Sequence, residues 1–187
     1  MVYILLGTGF EEIEAVAPGD LLRRAGVEVC YAALEGTTVT GSHGIRIQAD
    51  YDLAGIRPED LDMIVLPGGL RGVQSLLACE KALSLVREAW EAGKYVAAIC
   101  AAPTILAKLG IVENRPAVCY PGMADQMGPA AMQDAPAVTC GRLITGRSAG
   151  AALDFALALI SALKGEEAAR KVAGGIVYTP VTFDFGR

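Results

Sequence analysis

The chain has 187 residues, 53% of them hydrophobic and 20% charged, and a formal net charge of −5. Those figures suit one well-packed globular domain and exclude a nucleic-acid binder, because phosphate recognition needs a cationic face. One histidine and five scattered cysteines (Cys30, Cys79, Cys100, Cys119 and Cys140), with no C-x-x-C pair, argue against a metal site. They fit reduced thiols in a cytoplasmic protein.

Met1-Val2-Tyr3 leads directly into a first strand, Val2 to Leu6, so no signal peptide is expected. The strand breaks at Gly7-Thr8-Gly9. Glu11 to Ala25 reads as a helix, acidic at its start and ending in Arg23-Arg24, placements that complement the helix dipole. That basic pair reads as a solvated helix end. Val27 to Leu34 is a second strand, so strand, helix and parallel strand form one right-handed unit. Thr37 to Thr40 and Ile45 to Gln48 suggest a small β-hairpin around Gly41-Ser42-His43-Gly44. Asp62 to Leu66 is a third core strand, stopped by Pro67-Gly68-Gly69, and helical patterns follow at Val73–Leu77 and Glu80–Ala92.

Tyr95 to Ile99 reads as a buried strand, and Pro103 stands at the first turn of a helix over Thr104 to Leu109. Pro116 to Tyr120 suggests another strand, with a weak helical pattern at Met123 to Met127. Ala137–Cys140 and Leu143–Thr145 are short strands joined at Gly141-Arg142. Ala149 to Leu163 is a helix apolar nearly all round, hence expected to be buried, and is too short and too polar at Asp154 to span a membrane. Glu166 to Ala173 is a last helix. Strands alternating with helices imply a three-layer α/β sandwich around a mostly parallel sheet. One domain is expected over residues 1–175. A tail follows over 176–187, whose two phenylalanines would rather be covered than solvated.

Cys100 stands between strand and helix. A nucleophile on a sharp strand-to-helix turn needs small neighbours, since larger side chains would clash as the backbone doubles back. Ala98-Ile99-Cys100-Ala101-Ala102 meets that demand, with sulfur in place of a serine oxygen. A buried core thiol is the plainer reading of an arbitrary cysteine, but the turn favours the nucleophile. Ligands gather at the carboxyl ends of parallel strands. Three pieces meet there: the acidic run Glu11-Glu12-Ile13-Glu14, the turn Pro67-Gly68-Gly69, and Cys100.

The segments GFEEIEAVAP, IVLPGGLRG, AAICAAP and GRSAGAALDFALALI resemble the ThiJ/PfpI superfamily, in particular the branch that includes the Parkinson-disease-associated protein deglycase. The resemblance spans roughly residues 1–175 and implies a flavodoxin-like fold, a homodimer, and a reactive cysteine paired with a glutamate. By motif position Cys100 is the elbow cysteine and Glu14 its partner. Gly69 and Ala101 would offer backbone N–H groups to an oxyanion, and Gly68 would let the loop approach closely. The chain departs from the family in having Ala101 after the cysteine, where protease-like members place histidine, and Tyr120 where deglycase-like members often have one. A Cys–His–acid triad cannot be built from those positions, so peptidase activity is disfavoured. The single histidine, His43, is read as an exposed turn residue, or else as facing Glu11 at a pocket mouth.

Two functions share these residues. In one, an enzyme without metal or organic cofactor detoxifies small reactive carbonyls, such as methylglyoxal, or glycated thiols and amines, through a Cys100 thiolate and Glu14 as acid and base. In the other, a non-enzymatic oxidative-stress sensor or chaperone has Cys100 oxidised to sulfinic acid. Both place the proton on Glu14 and the charge on Cys100.

Overall fold

A computed structural model describes residues 1–179. In chain order its elements are β1 (Val2–Leu6), α1 (Glu12–Arg24), β2 (Val29–Ala33), β3 (Thr38–Thr40), β4 (Arg46–Gln48), β5 (Tyr51–Asp52), β6 (Met63–Leu66), α2 (Leu70–Ala78), α3 (Glu80–Glu91), β7 (Tyr95–Ile99), α4 (Pro103–Lys108), β8 (Pro116–Ala117), β9 (Ala131–Met132), β10 (Ala137–Cys140), β11 (Leu143–Gly146), α5 (Ala152–Lys164) and α6 (Glu166–Gly175). Seven strands form one sheet in the order β10-β11-β7-β6-β1-β2-β5, parallel throughout except for β10 against β11. The hairpin β3–β4 is antiparallel and stands apart from this sheet.

Side chains of a strand alternate between faces. β1 therefore sends Tyr3 and Leu5 into a core shared with α2, α3 and α4, and Val2, Ile4 and Leu6 into one shared with α1, α5 and α6. All five residues of β1 are fully buried, which is why the run reads as continuously apolar rather than alternating. The chain passes from β1 to β2 on one side, then returns to lay β6 on the other side of β1. Loops leaving β1 and β6 part at that point and open a crevice at the carboxyl ends of the strands. The turn after β7 borders the same crevice.

The structure corrects several sequence expectations. The strand expected over Pro116–Tyr120 shrinks to Pro116–Ala117, which pairs with β9 outside the main sheet. Its later donors are taken elsewhere: Val118 N–H bonds Thr145 Oγ1 at 2.9 Å, and Tyr120 N–H bonds the Cys100 carbonyl at 2.7 Å. Pro121–Gln126 then forms 3₁₀ turns where Met123–Met127 suggested a helix. The helix expected from Ala149 begins as a 3₁₀ turn and is α-helical from Ala152, with Leu153 exposed, so it is buried on one face only. β5 and β9 are too short to leave a periodic signal. Among the described residues, no helix is long and apolar enough to cross a membrane. The tail's two phenylalanines, Phe183 and Phe185, lie outside the described residues.

Candidate active site

Cys100 has φ 65°, in the left-handed region, where a residue bearing a Cβ is disfavoured by about 1–2 kcal/mol. The surroundings hold it there. Its N–H donates to the Gly146 carbonyl at 3.0 Å, and its own carbonyl accepts from Tyr120 N–H. The flanking Ala98, Ala101 and Ala102 are buried. Gly146 belongs to the elbow too, because a Cβ there would stand 2.8 Å from the Ile99 side chain and 3.0 Å from the Phe155 ring. Gly146 heads the GRSAG segment but has no role assigned from sequence, since a glycine ending a short strand carries no distinguishing pattern.

Glu14, in the first turn of α1, has no exposed surface. Gly68 N–H donates to its Oε2 at 2.8 Å, while Oε1 is buried without a hydrogen-bond partner. Only glycine fits at position 68: a Cβ would lie 2.5 Å from Glu14 Oε2 and 2.7 Å from Cys100 Cβ. The Glu14 carboxyl and the Cys100 thiol thus flank one small space. Burial pushes the Glu14 carboxyl up to about 7, against the opposing pull of the Gly68 amide and the thiol. Burial, followed by the charge of Glu14, pushes the Cys100 thiol up to about 12, while the backbone N–H groups of Ala101 and Gly69 favour the thiolate. Protonating Glu14 removes the repulsion and turns the carboxyl into a donor toward sulfur. The two groups titrate as one coupled pair.

A cavity of about 360 Å³ stands over Cys100, walled by Glu11, Gly69, Leu70, Ala101, Tyr120, Gly122 and Met123. Of these, Leu70, Gly122 and Met123 escaped sequence reading, because residues at a helix start or in a short turn follow no period. Tyr120 lies half exposed at the rim. Glu11 Oε2 lies 3.0 Å from the Ser42 hydroxyl, whose one hydrogen is shared with Glu12 Oε2 at 3.1 Å.

His43 does not line that cavity. Its ring, largely exposed, stands 3.0 Å from Glu12 Oε2 and 3.4 Å from Glu11 Oε1, which raises its pKa, chiefly through the Glu12 hydrogen bond. Glu11, Glu12 and His43 bring ligand-type atoms within 4.8 Å of one another. The Glu12 oxygens, however, already accept from the backbone N–H groups of His43 and Ile45 and from the Ser42 hydroxyl. Burial alone would raise the Glu12 pKa, but the His43 ring bond, then the backbone N–H and Ser42 bonds, outweigh it and hold the carboxyl at about 2. The cluster latches the β3–β4 loop onto α1.

Residues 1–162 match the DJ-1/PfpI family. The chain belongs to that family. Among DJ-1/PfpI proteins it is 37% identical to protein dj-1beta of Drosophila melanogaster over 177 residues, covering 93% of this chain and 95% of the fly protein. The crystal structure of that fly protein superimposes with a TM-score of 0.90, covering 96% of this chain and 98% of the other. A deglycase of Pyrococcus horikoshii is 36% identical over 148 residues, 78% of this chain and 89% of the archaeal one. A glutathione-independent glyoxalase of Caenorhabditis elegans is 35% identical over 159 residues, 84% of each chain. The fly protein's structure shares this three-layer, mostly parallel α/β architecture.

Proposed function

We propose that this protein is a glyoxalase- or deglycase-type enzyme that acts on 2-oxoaldehydes such as methylglyoxal, or on their adducts with thiols and amines. The wholly buried Glu14 carboxyl, raised to about 7 beside the Cys100 thiol, carries this reading. Such a group both gives and takes a proton near neutral pH. Relatives named as a deglycase and a glyoxalase support it.

In this scheme the pair starts with one proton, held by the Cys100 thiol whose pKa lies above that of Glu14, and Glu14 takes it as sulfur attacks. Sulfur bonds to the aldehyde carbon, and Glu14 passes its proton to the aldehyde oxygen, giving a hemithioacetal. Glu14, now a carboxylate, removes the hydrogen of that carbon as a proton and leaves its electron pair in an enediolate. The hydroxyl proton crosses to the adjacent oxygen, and Glu14 delivers its own to the neighbouring carbon. The aldehyde carbon is thereby oxidised and the ketone carbon reduced within one molecule. Water attacks the resulting thioester, the S–C bond breaks, a hydroxyacid leaves, and the second proton of that water goes to the Cys100 sulfur. The amides of Gly69 and Ala101 stabilise the oxyanions as they form.

The same reading includes a homodimer. Ile13, Val16, Ile45 and Leu153 are exposed apolar side chains around a groove of about 640 Å³ along α1. Sedimentation of Ile13→Glu as a monomer, against a wild-type dimer, checks this point. Five free thiols suit a cytoplasmic setting.

Methylglyoxal turnover by wild type, Cys100→Ser and Glu14→Gln, beside intact mass after mild peroxide, tests the function. Turnover lost in both variants is the expected result. A gain of two oxygens confined to Cys100, without turnover in the wild type, would replace the enzyme with a redox sensor.

A further inference from the structure

Building on that enzymatic reading, we propose that the Cys100 cavity selects neutral oxoaldehydes bearing an aryl-sized apolar group and discriminates against anionic ones. The cavity, about 360 Å³, falls within the range of roughly 300–1,000 Å³ that encloses much larger ligands than methylglyoxal. A methyl group would leave most of it to water.

The walls say what should fill that space. Leu70, at the start of α2, is 61% exposed, and Tyr120, which lines the same cavity, is 48% exposed. Large apolar surface left open inside a site recovers free energy when a ligand covers it. Met123 adds a flexible, polarisable wall that adapts to a flat ring. Gly122 keeps side-chain bulk away from the Tyr120 ring, since a Cβ there would sit 3.6 Å from it. An aryl group would stack on that phenol with its apolar edge toward Leu70.

Charge selects in the same direction. Glu11 is the carboxylate of the rim, and no lysine, arginine or histidine of the described residues lines the cavity. An anionic substrate would lose hydration beside a like charge with no counterion to replace it. The bond changes remain those of the parent scheme: an arylglyoxal and one water become an aryl hydroxyacid, with oxidation and reduction internal to the molecule.

The test compares kcat/KM for phenylglyoxal, methylglyoxal and 4-carboxyphenylglyoxal in the full chain, its Leu70→Ala variant and its Leu70→Arg variant. Phenylglyoxal is expected to exceed each of the other two by about tenfold or more, as apolar pockets discriminate by at least that much per group. Leu70→Ala should narrow the phenyl-to-methyl ratio severalfold, and Leu70→Arg should raise the carboxylated substrate relative to phenylglyoxal. Alkylation of Cys100 by N-phenyliodoacetamide against iodoacetate reads the same selectivity without turnover and should follow the same order. Turnover that favours methylglyoxal, or accepts the carboxylated substrate equally, overturns the selectivity and leaves the enzyme standing. No turnover of any of the three overturns both.

Discussion

The Gly68 amide holds Glu14 Oε2 at 2.8 Å. That bond fixes the carboxyl and leaves Oε1 as the oxygen with no partner in the interior. A buried polar atom left unsatisfied costs about 1–3 kcal/mol. A carboxyl in that state keeps its proton readily, with the Cys100 thiol as its neighbour. The same arrangement accounts for a carboxyl that resists ionisation and for a thiol whose charge depends on it.

Thiol reactivity and turnover should therefore separate in Glu14→Gln. A neutral amide removes the repulsion that raises the Cys100 pKa, and it can still donate toward sulfur. Cys100 in the variant is expected to react with iodoacetamide faster than in the wild type at pH 9, where Glu14 is ionised. Turnover should nonetheless fall by about 100-fold or more, because the amide cannot shuttle a proton. Stopped-flow alkylation beside a methylglyoxal assay checks both halves. Equal alkylation rates would mean that carboxyl and thiol do not communicate.

Stability should depend on pH in a direction opposite to that of an ordinary salt-bridged acid. The folded-state pKa of Glu14 lies near 7, above its ordinary 4.5. Between those values the native state holds a proton that the unfolded chain has released, so unfolding free energy falls as pH rises. The advantage is complete below the ordinary carboxylate pKa and is lost by the time pH passes 7. Up to roughly 3 kcal/mol is at stake. Urea denaturation at pH 5 and pH 8 should show Glu14→Gln gaining stability relative to wild type at the higher pH. A constant difference between the two proteins would contradict the raised pKa.

Gly68→Ala puts a methyl group into the space between the catalytic pair. Atoms 2.5 and 2.7 Å away must move, at a typical cost of about 1–3 kcal/mol. Carboxyl and sulfur would be forced apart, so activity should drop well beyond what the lost stability explains. Gly150→Ala is the matched control, since a Cβ there meets nothing within 4 Å. Thermal melts and initial rates of the two variants, side by side, separate a general glycine effect from a local one.

How far the sequence reveals this site depends on what each residue leaves in the chain. β1, β6 and β7 are buried on both faces, so their apolar runs stand out and the parallel sheet follows from the helices between them. Cys100 is legible because a strained turn excludes bulk from its neighbours, and alanines mark that exclusion. Glu14 is different. Its turn of α1 carries Glu11 and Glu12 as well, and the local pattern does not say which carboxylate turns inward; family resemblance picks it out. Leu70 and Met123 leave no signal, because a cavity wall is assembled from element ends and turns whose approach is set by tertiary packing. By pattern Tyr120 reads as the end of a strand and only the family resemblance puts it at the site, where its N–H bonds the Cys100 carbonyl.

The Glu12 latch gives the last prediction. Its carboxylate receives two backbone N–H groups from the β3–β4 loop and shares the one Ser42 hydroxyl hydrogen of that loop with Glu11 at the cavity rim. A Cβ on Gly41 would collide with the Glu12 side chain, so loop and carboxylate are in close contact. The Glu12 pKa, lowered to about 2, contributes stability that is present above the ordinary carboxylate range and is lost as pH falls from about 4.5 toward 2. His43 works in the opposite sense: its raised pKa adds stability below the ordinary histidine value and loses it as pH rises through the folded one. Glu12→Gln should lower stability at pH 7 by about 1–2 kcal/mol, the difference between charged and neutral acceptors. It should also flatten the acid limb of the unfolding curve. Hydrogen exchange should then quicken at His43 and Ile45 while the amides of β1 stay protected, which localises the change to the loop.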